Sequence, residues 1–448
     1  MTLVTPSGIH RQYMYSSQNI NGRTSFPYST NAVHPFLPSS HAALRAIMKD
    51  LSFILFLSLW SQPGFSIALP RDNDVSACKL PAVRNVGGSI GFRASDNRCN
   101  VGSTGTIKAL MLFVDFPGSV ATESARAMYD YFMPQASDWY RNASYGRLTL
   151  NVTADTVFRR MPSRADAYGW SRGLTTQLHN KYIQDALAAY NRTISPPVDV
   201  LYIVVPPNAK DITSSFTTSS LLSGVTNRGG DLVARSAVTF GSTHFTSWKW
   251  KVLNHETGHA LCLPDLYPLA EGGGSSIGLY TGGFDLMGPI GGPGPDYFAW
   301  NKWRLGWLDD GQVDCVVNKA GSTTTTHVLT ALEKQMDKGI KAVVIKGNNT
   351  AALVAELRTA TGVDAAVCAP GVLLYEISTT IKSGSGPIRV IDATPDSRGC
   401  GGHKFNDGVL SMSSLNGTSS FTVPGWGVKV ALMNQTADAA TIQVTMGG

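Results

Sequence analysis

Long apolar runs are absent from this chain. The longest uninterrupted one, Leu51 to Trp60, has ten residues, whereas a membrane-spanning helix needs roughly 20. Stable membrane insertion is therefore not expected. Charge is scarce too: Asp, Glu, Lys and Arg make up 15% of the 448 residues. That excludes a disordered polyampholyte and a coiled coil, both of which need far more charge. With 43% hydrophobic residues, the sequence reads as a folded polypeptide of two or three domains. Basic residues outnumber acidic ones only 37 to 31, and part of the surplus sits in residues 1–68, where Arg11, Arg23, Arg45 and Lys49 face Asp50 alone. The remaining 33 basic and 30 acidic residues leave no electrostatic footprint for nucleic acid. There is no internal repeat of fixed period. No Cys-x-x-Cys pair is present either, which removes a thioredoxin-like or zinc-ribbon reading.

The Leu51–Trp60 run has the length of a secretory signal core. Arg45 and Lys49 precede it, and Ser66-Ile67-Ala68 places small residues where a signal peptidase reads. This predicts cleavage after Ala68, a signal over 48–68 starting at Met48, and a Ser/Asn/His/Pro-rich stretch, 1–47, outside the native product. The bland alternative is a short buried helix of a cytosolic protein. Features downstream favour secretion. Six Asn-x-Ser/Thr acceptors (Asn142, Asn151, Asn191, Asn348, Asn416, Asn434) and all six cysteines (Cys78, Cys99, Cys262, Cys315, Cys368, Cys400) lie after Ala68. An even cysteine count in an oxidising compartment predicts disulfides. Cys78 with Cys99 is the easiest pairing, because the two bracket a short Gly-rich segment.

Residues 69–104 are Gly/Ser/Asn-rich and read as a linker or short pro-like segment, whose Cys78 could reach a metal in a latent form. Strand-length apolar runs follow at Ile107–Phe116, Leu148–Val152, Val198–Val205 and Leu232–Phe240. Helical spacing occurs over Glu123–Tyr140 and Leu178–Tyr190. Thr246-Ser247 is a plausible cap for the helix WKWKVLNHETGHAL, with Trp248 and Val252 at i, i+4. Pro264 must end that helix near Leu263, since it cannot donate a backbone bond and disfavours a helical residue before it. Gly-rich sequence occupies 272–294. From 313 onward Thr/Ser/Val alternation with frequent turn signals reads as all-β. The expected architecture is an α/β (α+β) domain over 105–312, then a β-rich, sandwich-like domain over 313–448.

The helix carries His255-Glu256-Thr257-Gly258-His259, and the i, i+4 spacing puts both imidazoles on one face, one turn apart. Together they can grip one metal ion. Zinc is the natural candidate: it accepts imidazole nitrogen, has no redox chemistry, and tolerates three protein ligands with water in the fourth position. Glu256 sits beside that face, where it can take the proton of a water activated by the ion. In other proteins the same spacing is often just an exposed helix face. Six residues past His259, Asp265 in Leu263-Pro264-Asp265 could return a carboxylate to the ion as third ligand. Phe284-Asp285-Leu286-Met287-Gly288 resembles the methionine turn beneath the zinc of metzincins.

Three stretches together, His255 to Tyr267, Gly282 to Gly288, and Trp300-Asn301-Lys302-Trp303-Arg304-Leu305-Gly306-Trp307, resemble the immune inhibitor A family of secreted zinc metallopeptidases. The likeness extends to LFVDF at Leu112–Phe116, SYGRL at Ser144–Leu148, LVAELR at Leu353–Arg358 and GVLLYEI at Gly371–Ile377, so it covers roughly residues 107–380. What it implies is a metzincin-like zinc endopeptidase acting on proteins or peptides, with His255, His259 and Asp265 as ligands and Glu256 as general base, followed by a β-rich domain. Cys262 departs from the family's usual Gly, at a turn where a left-handed side chain costs about 1–2 kcal/mol. It could alternatively ligate the metal. Glu271 reads as a loop-tip carboxylate rather than a ligand. Asp285 could bind calcium or fix its turn, and the structural role is favoured. Tyr267, Tyr280 and Tyr297 are open candidates for holding an oxyanion. His244, His327 and His403 lack ligand spacing. The leading reading is a secreted, monomeric zinc endopeptidase. Its rival is a binding protein on the same scaffold that has lost turnover, against which the retained Glu256 argues.

Overall fold

The computed structural model describes residues 74–93, 99, 101–218, 224–243, 247–269, 277–317, 322–334, 338–400, 404–412 and 418–447. The signal, the start at Met48, Glu271, His244, His403 and Asn416 lie outside them. The molecule is mixed α/β, with three sheets and few helices among the described residues. None of these helices is long and apolar enough to cross a membrane.

The first sheet has the order β2 (Leu148–Arg160), β1 (Gly105–Asp115), β3 (Val198–Val204), β6 (Leu232–Thr239), β4 (Phe216–Thr217), with β5 (Val225–Thr226) also on β6. β2, β1, β3 and β6 run parallel, and the two short edge strands run antiparallel to β6. A parallel sheet needs cover on both faces, which explains why β1 and β3 are buried almost without alternation. β2 is longer than its apolar stretch suggests. Its second half is polar and half-exposed, and it stays in the ladder by pairing with Leu110–Asp115, with Arg160 bonded to Asp115 at 2.6 Å.

The helical run expected over Glu123–Tyr140 is two helices, α1 (Ala125–Tyr129) and α2 (Gln135–Ala143). They divide at Pro134, which lacks the N–H a continuous helix would use. Ser124 caps α1 through the amide of Ala127, and Thr175 caps α3 (Thr176–Tyr190) through that of Leu178. The metal-motif helix α4 is Trp250–Ala260 and begins after Lys249, whose φ of 48° breaks the run. Trp248 is therefore outside it, and no side chain caps its start. The short α5 (Ala299–Arg304) follows the Gly-rich stretch.

The C-terminal region forms two antiparallel-rich sheets. One has the order β12 (Ile388–Ile391), β11 (Gly371–Ser378), β10 (Ala351–Arg358), β9 (Ala342–Lys346), β7 (Val313–Val317), with β13 (Val409–Leu410) on β11. The other has β14 (Ser420–Val423), β15 (Val428–Gln435), β16 (Ala439–Met446), β8 (Thr323–Thr330). Because strand side chains alternate, Val343, Ile345, Leu353, Ala355 and Leu374 meet Val430, Ile442 and Val444 of the facing sheet. Their neighbours Ala342, Val344, Ala352, Val354 and Tyr375 join the core of the N-terminal part. Residues Leu69–Gly448 accordingly make one compact unit.

Two expectations need correction. Where described, residues 69–104 are no linker: Cys78, Leu80, Ile90 and Val101 are buried in the main core. Their apolar side chains are sparse in the sequence, and Val75, Leu80, Ile90 and Val101 are spaced so that they turn into the core. The cysteines pair as Cys78–Cys315, Cys99–Cys262 and Cys368–Cys400, with Cα separations of 5.8, 5.8 and 6.3 Å. Cys78 does not pair with Cys99, since the packed segment carries each toward a different distant partner. A Cys78 latch on the metal and Cys262 as a ligand are thereby also excluded. The five described glycan acceptors, Asn142, Asn151, Asn191, Asn348 and Asn434, are all exposed.

Candidate metal centre

Each residue of His255-Glu256-Thr257-Gly258-His259 has a separate task in seating α4. Thr257 donates to the Leu253 carbonyl at 2.7 Å and meets the Tyr202 hydroxyl of β3 at 2.8 Å, which ties the helix to the sheet. Gly258 rests on the floor: a Cβ there would lie 2.5 Å from Met287 Sδ and 2.8 Å from the Tyr297 hydroxyl. The imidazoles of His255 and His259 stand nearly perpendicular, 4.9 Å apart. Both are oriented from behind, since His255 Nδ1 donates to the Leu286 carbonyl and His259 Nδ1 to the Leu263 carbonyl, each at 2.8 Å. That fixes the tautomer and leaves both Nε2 atoms free to ligate.

The helix ends in a Schellman turn. The Leu263 amide bonds to Gly258 O and the Cys262 amide to His259 O, both at 2.9 Å, and Cys262 takes the left-handed position at φ 64°. The turn that Gly usually makes is thus made here by a cysteine, held by its bond to Cys99. It brings Asp265 back to the helix, with Oδ1 3.3 Å from both His255 Nε2 and His259 Nε2. Oδ1 is buried and has no hydrogen-bond partner. Among the described residues these three form the one group of His, Cys, Asp and Glu able to share an ion.

The donor set fits zinc. With bonds of about 2.0–2.1 Å, a tetrahedron's ligand atoms lie about 3.3–3.4 Å apart, which matches both His–Asp separations. Without an ion, burial alone would lower the His259 pKa, but the charges of Asp265 and Glu256 override it and raise it to about 9. Burial would raise Asp265, and the two histidines instead hold it well below the ordinary carboxylate range. Electrostatically, the site is a carboxylate shared between two imidazoles.

Glu256 is almost fully buried. The Thr217 hydroxyl on edge strand β4 lies 2.8 Å from both its Oε2 and its backbone carbonyl. Of the three candidate tyrosines, Tyr267 lies at the ligands, its ring 6.0 Å from that of His255. Tyr297 is fully buried beneath α4, stacked on Trp307, and Tyr280 packs against the Arg389 guanidinium. Asp285, fully buried at φ 93°, accepts from the amides of Met287 and Phe298 and from Asn301 Nδ2. Burial raises its pKa to about 6 even against those bonds. Both oxygens face N–H donors, the arrangement of a turn fastener and not of a calcium ligand. His327 pairs with Asp314 at 2.6 Å, away from the cluster.

Thr217, Cys99 and Ser383 also belong to this site and carry no signal in the sequence, because each comes from a different and distant part of the chain. Ser383 contacts Asp265 from the turn between β11 and β12. No family model and no curated protein matches the chain.

Proposed function

We propose that the protein is a secreted, metzincin-like zinc endopeptidase in which His255, His259 and Asp265 hold the ion and Glu256 is the general base. One observation carries the reading: two imidazole Nε2 atoms and a carboxylate oxygen without a hydrogen-bond partner converge at ligand spacing, with a second carboxylate next in sequence to His255. When bound, zinc supplies Lewis acidity, polarising a peptide carbonyl and lowering the pKa of water to about 7. The chain's own residues do the rest. Glu256 takes the proton of the attacking water and delivers it to the leaving amine. Thr217, donating to Oε2, keeps the carboxylate aimed while its other oxygen accepts. Tyr267 offers a phenol from the ligand side for charge developing on the substrate oxygen. Three disulfides and exposed glycan acceptors support extracellular residence.

The test joins metal analysis of the protein to a casein-type digestion with and without chelator, on the parent and on Glu256→Gln. Stoichiometric zinc and chelator-sensitive digestion are expected in the parent. The variant should keep its zinc and lose at least about a hundredfold in rate. Digestion that survives in Glu256→Gln removes the general-base role, and a zinc-free parent removes the whole reading.

A further inference from the structure

From the C-terminal region, the turn between β11 and β12 touches Asp265 through two neighbouring residues, Ser383 and Gly384. The Asp265 amide donates to Ser383 Oγ at 3.0 Å, and the Ser383 hydroxyl faces Asp265 Oδ2 at 3.5 Å. The next residue, Gly384, donates its amide to the Asp265 carbonyl at 2.9 Å, and its own carbonyl accepts from Leu269 at 3.1 Å. Both main-chain groups of Asp265 are thus claimed by one turn, whose Ser383 hydroxyl also faces the carboxylate, as does the Tyr267 phenol, with Oδ1 placed at both histidines.

That turn, Thr379–Pro387, is itself fixed. The Ser383 amide donates to the Gly87 carbonyl at 2.9 Å. A Cβ on Gly88 would lie 2.8 Å from Pro264 Cβ and 3.1 Å from Ser383 Cβ. Gly384 has φ +69° and is packed against Leu269 so closely that it admits no side chain. Three distant pieces of chain therefore interlock at Pro264-Asp265. A carboxylate on a free loop would sample many rotamers, with a loss of metal affinity set by that freedom. Here Asp265 is bonded to one turn through its amide and its carbonyl, with the Ser383 hydroxyl beside Oδ2.

We propose that the β11–β12 turn is part of the metal centre and that Ser383 is a positioning residue for Asp265, holding Oδ2 so that Oδ1 serves as ligand. This rests on the zinc reading above. It gives the C-terminal region a defined part in the chemistry: it sets the third ligand. Partners of metal ligands are typically worth 10–100-fold in affinity, which sets the expected size.

The experiment measures zinc affinity by chelator competition on the full chain, with the urea midpoint of the metal-free protein measured alongside. Ser383→Ala is expected to weaken zinc binding about tenfold or more, with activity returning at high zinc and the metal-free midpoint close to the parent's. Ser383→Thr, which keeps the hydroxyl, should recover most of the affinity. Should Ser383→Ala fail to fold, Gly384→Ala displaces the same turn through Leu269 and should weaken zinc in the same sense. Zinc affinity in Ser383→Ala within twofold of a zinc-binding parent overturns the proposal alone. A parent without zinc overturns the reading beneath it as well.

Discussion

His179 lies outside the cluster of His255, His259 and Asp265, yet it gives the fold an acid sensitivity. Its Nε2 lies 2.9 Å from Thr239 Oγ1, and that hydroxyl donates to the Phe216 carbonyl, so the ring nitrogen must be the donor. The ring is enclosed by Trp170 and Phe216, and burial lowers its pKa from the ordinary 6.5 to about 4. Between those values the unfolded chain binds a proton that the folded one refuses. Stability from this residue is thus complete above pH 6.5 and lost as pH falls toward 4, by about 3 kcal/mol in all. Urea unfolding at pH 7 and pH 5 should show a steeper loss in the parent than in His179→Gln, and equal losses would disprove the assignment. At this scale the proposed ligands were legible in the sequence because two of them share one helical turn and the third follows a proline stop. Thr217, Ser383 and Cys99 were not, since each reaches the site through tertiary packing alone.

The element that the site depends on most is the contact between α4 and the turn beneath it. Gly258 is poor for a helix interior, and replacing it with Ala gains about 1 kcal/mol in propensity. Packing opposes that gain, because the new methyl would lie 2.5 Å from Met287 Sδ and 2.8 Å from the Tyr297 hydroxyl, both fully buried. Overpacking typically costs about 1–3 kcal/mol, so the net effect should be destabilising. Gly258→Ala is expected to lower the unfolding midpoint and to weaken zinc as α4 lifts from its floor. A more stable variant with parental zinc affinity would mean that the floor yields. Elements were legible where burial is continuous, as in β1 and β3, and illegible where it is not. The second half of β2 is polar because it is an edge, and the Glu123–Tyr140 periodicity persists on both sides of Pro134 although the helix does not.

Across the whole molecule, the change in texture at residue 313 marks a change of secondary structure but not of packing. Helix α5 belongs to the N-terminal part, yet its first amides are satisfied from beyond the boundary: Ala299 N by Glu356 Oε2 at 2.7 Å, and Trp300 N by the Tyr375 hydroxyl at 3.2 Å. Glu356, Arg358, Glu333 and Asp364 form a buried charge network with Asp296 and Lys302, in which burial pushes the Asp296 and Glu333 carboxyls upward. Tyr145 reaches Leu332 O and Lys302 Nζ. The recognisable segments around Tyr145, Lys302, Glu356, Arg358 and Tyr375 therefore build this junction, while the helix motif builds the site. Cutting the chain after residue 312 would remove the caps of α5, the partner of Cys78 and the Tyr375 ring packed against Phe298. Losing one side of a buried ionic network alone costs about 3–5 kcal/mol, a large share of a typical domain's stability of about 5–15 kcal/mol. A fragment spanning 69–312 should accordingly show no cooperative unfolding transition and no zinc binding at the parent's affinity. A fragment that unfolds cooperatively with that affinity would make the two regions independent, and it would also remove the β11–β12 turn from the metal centre.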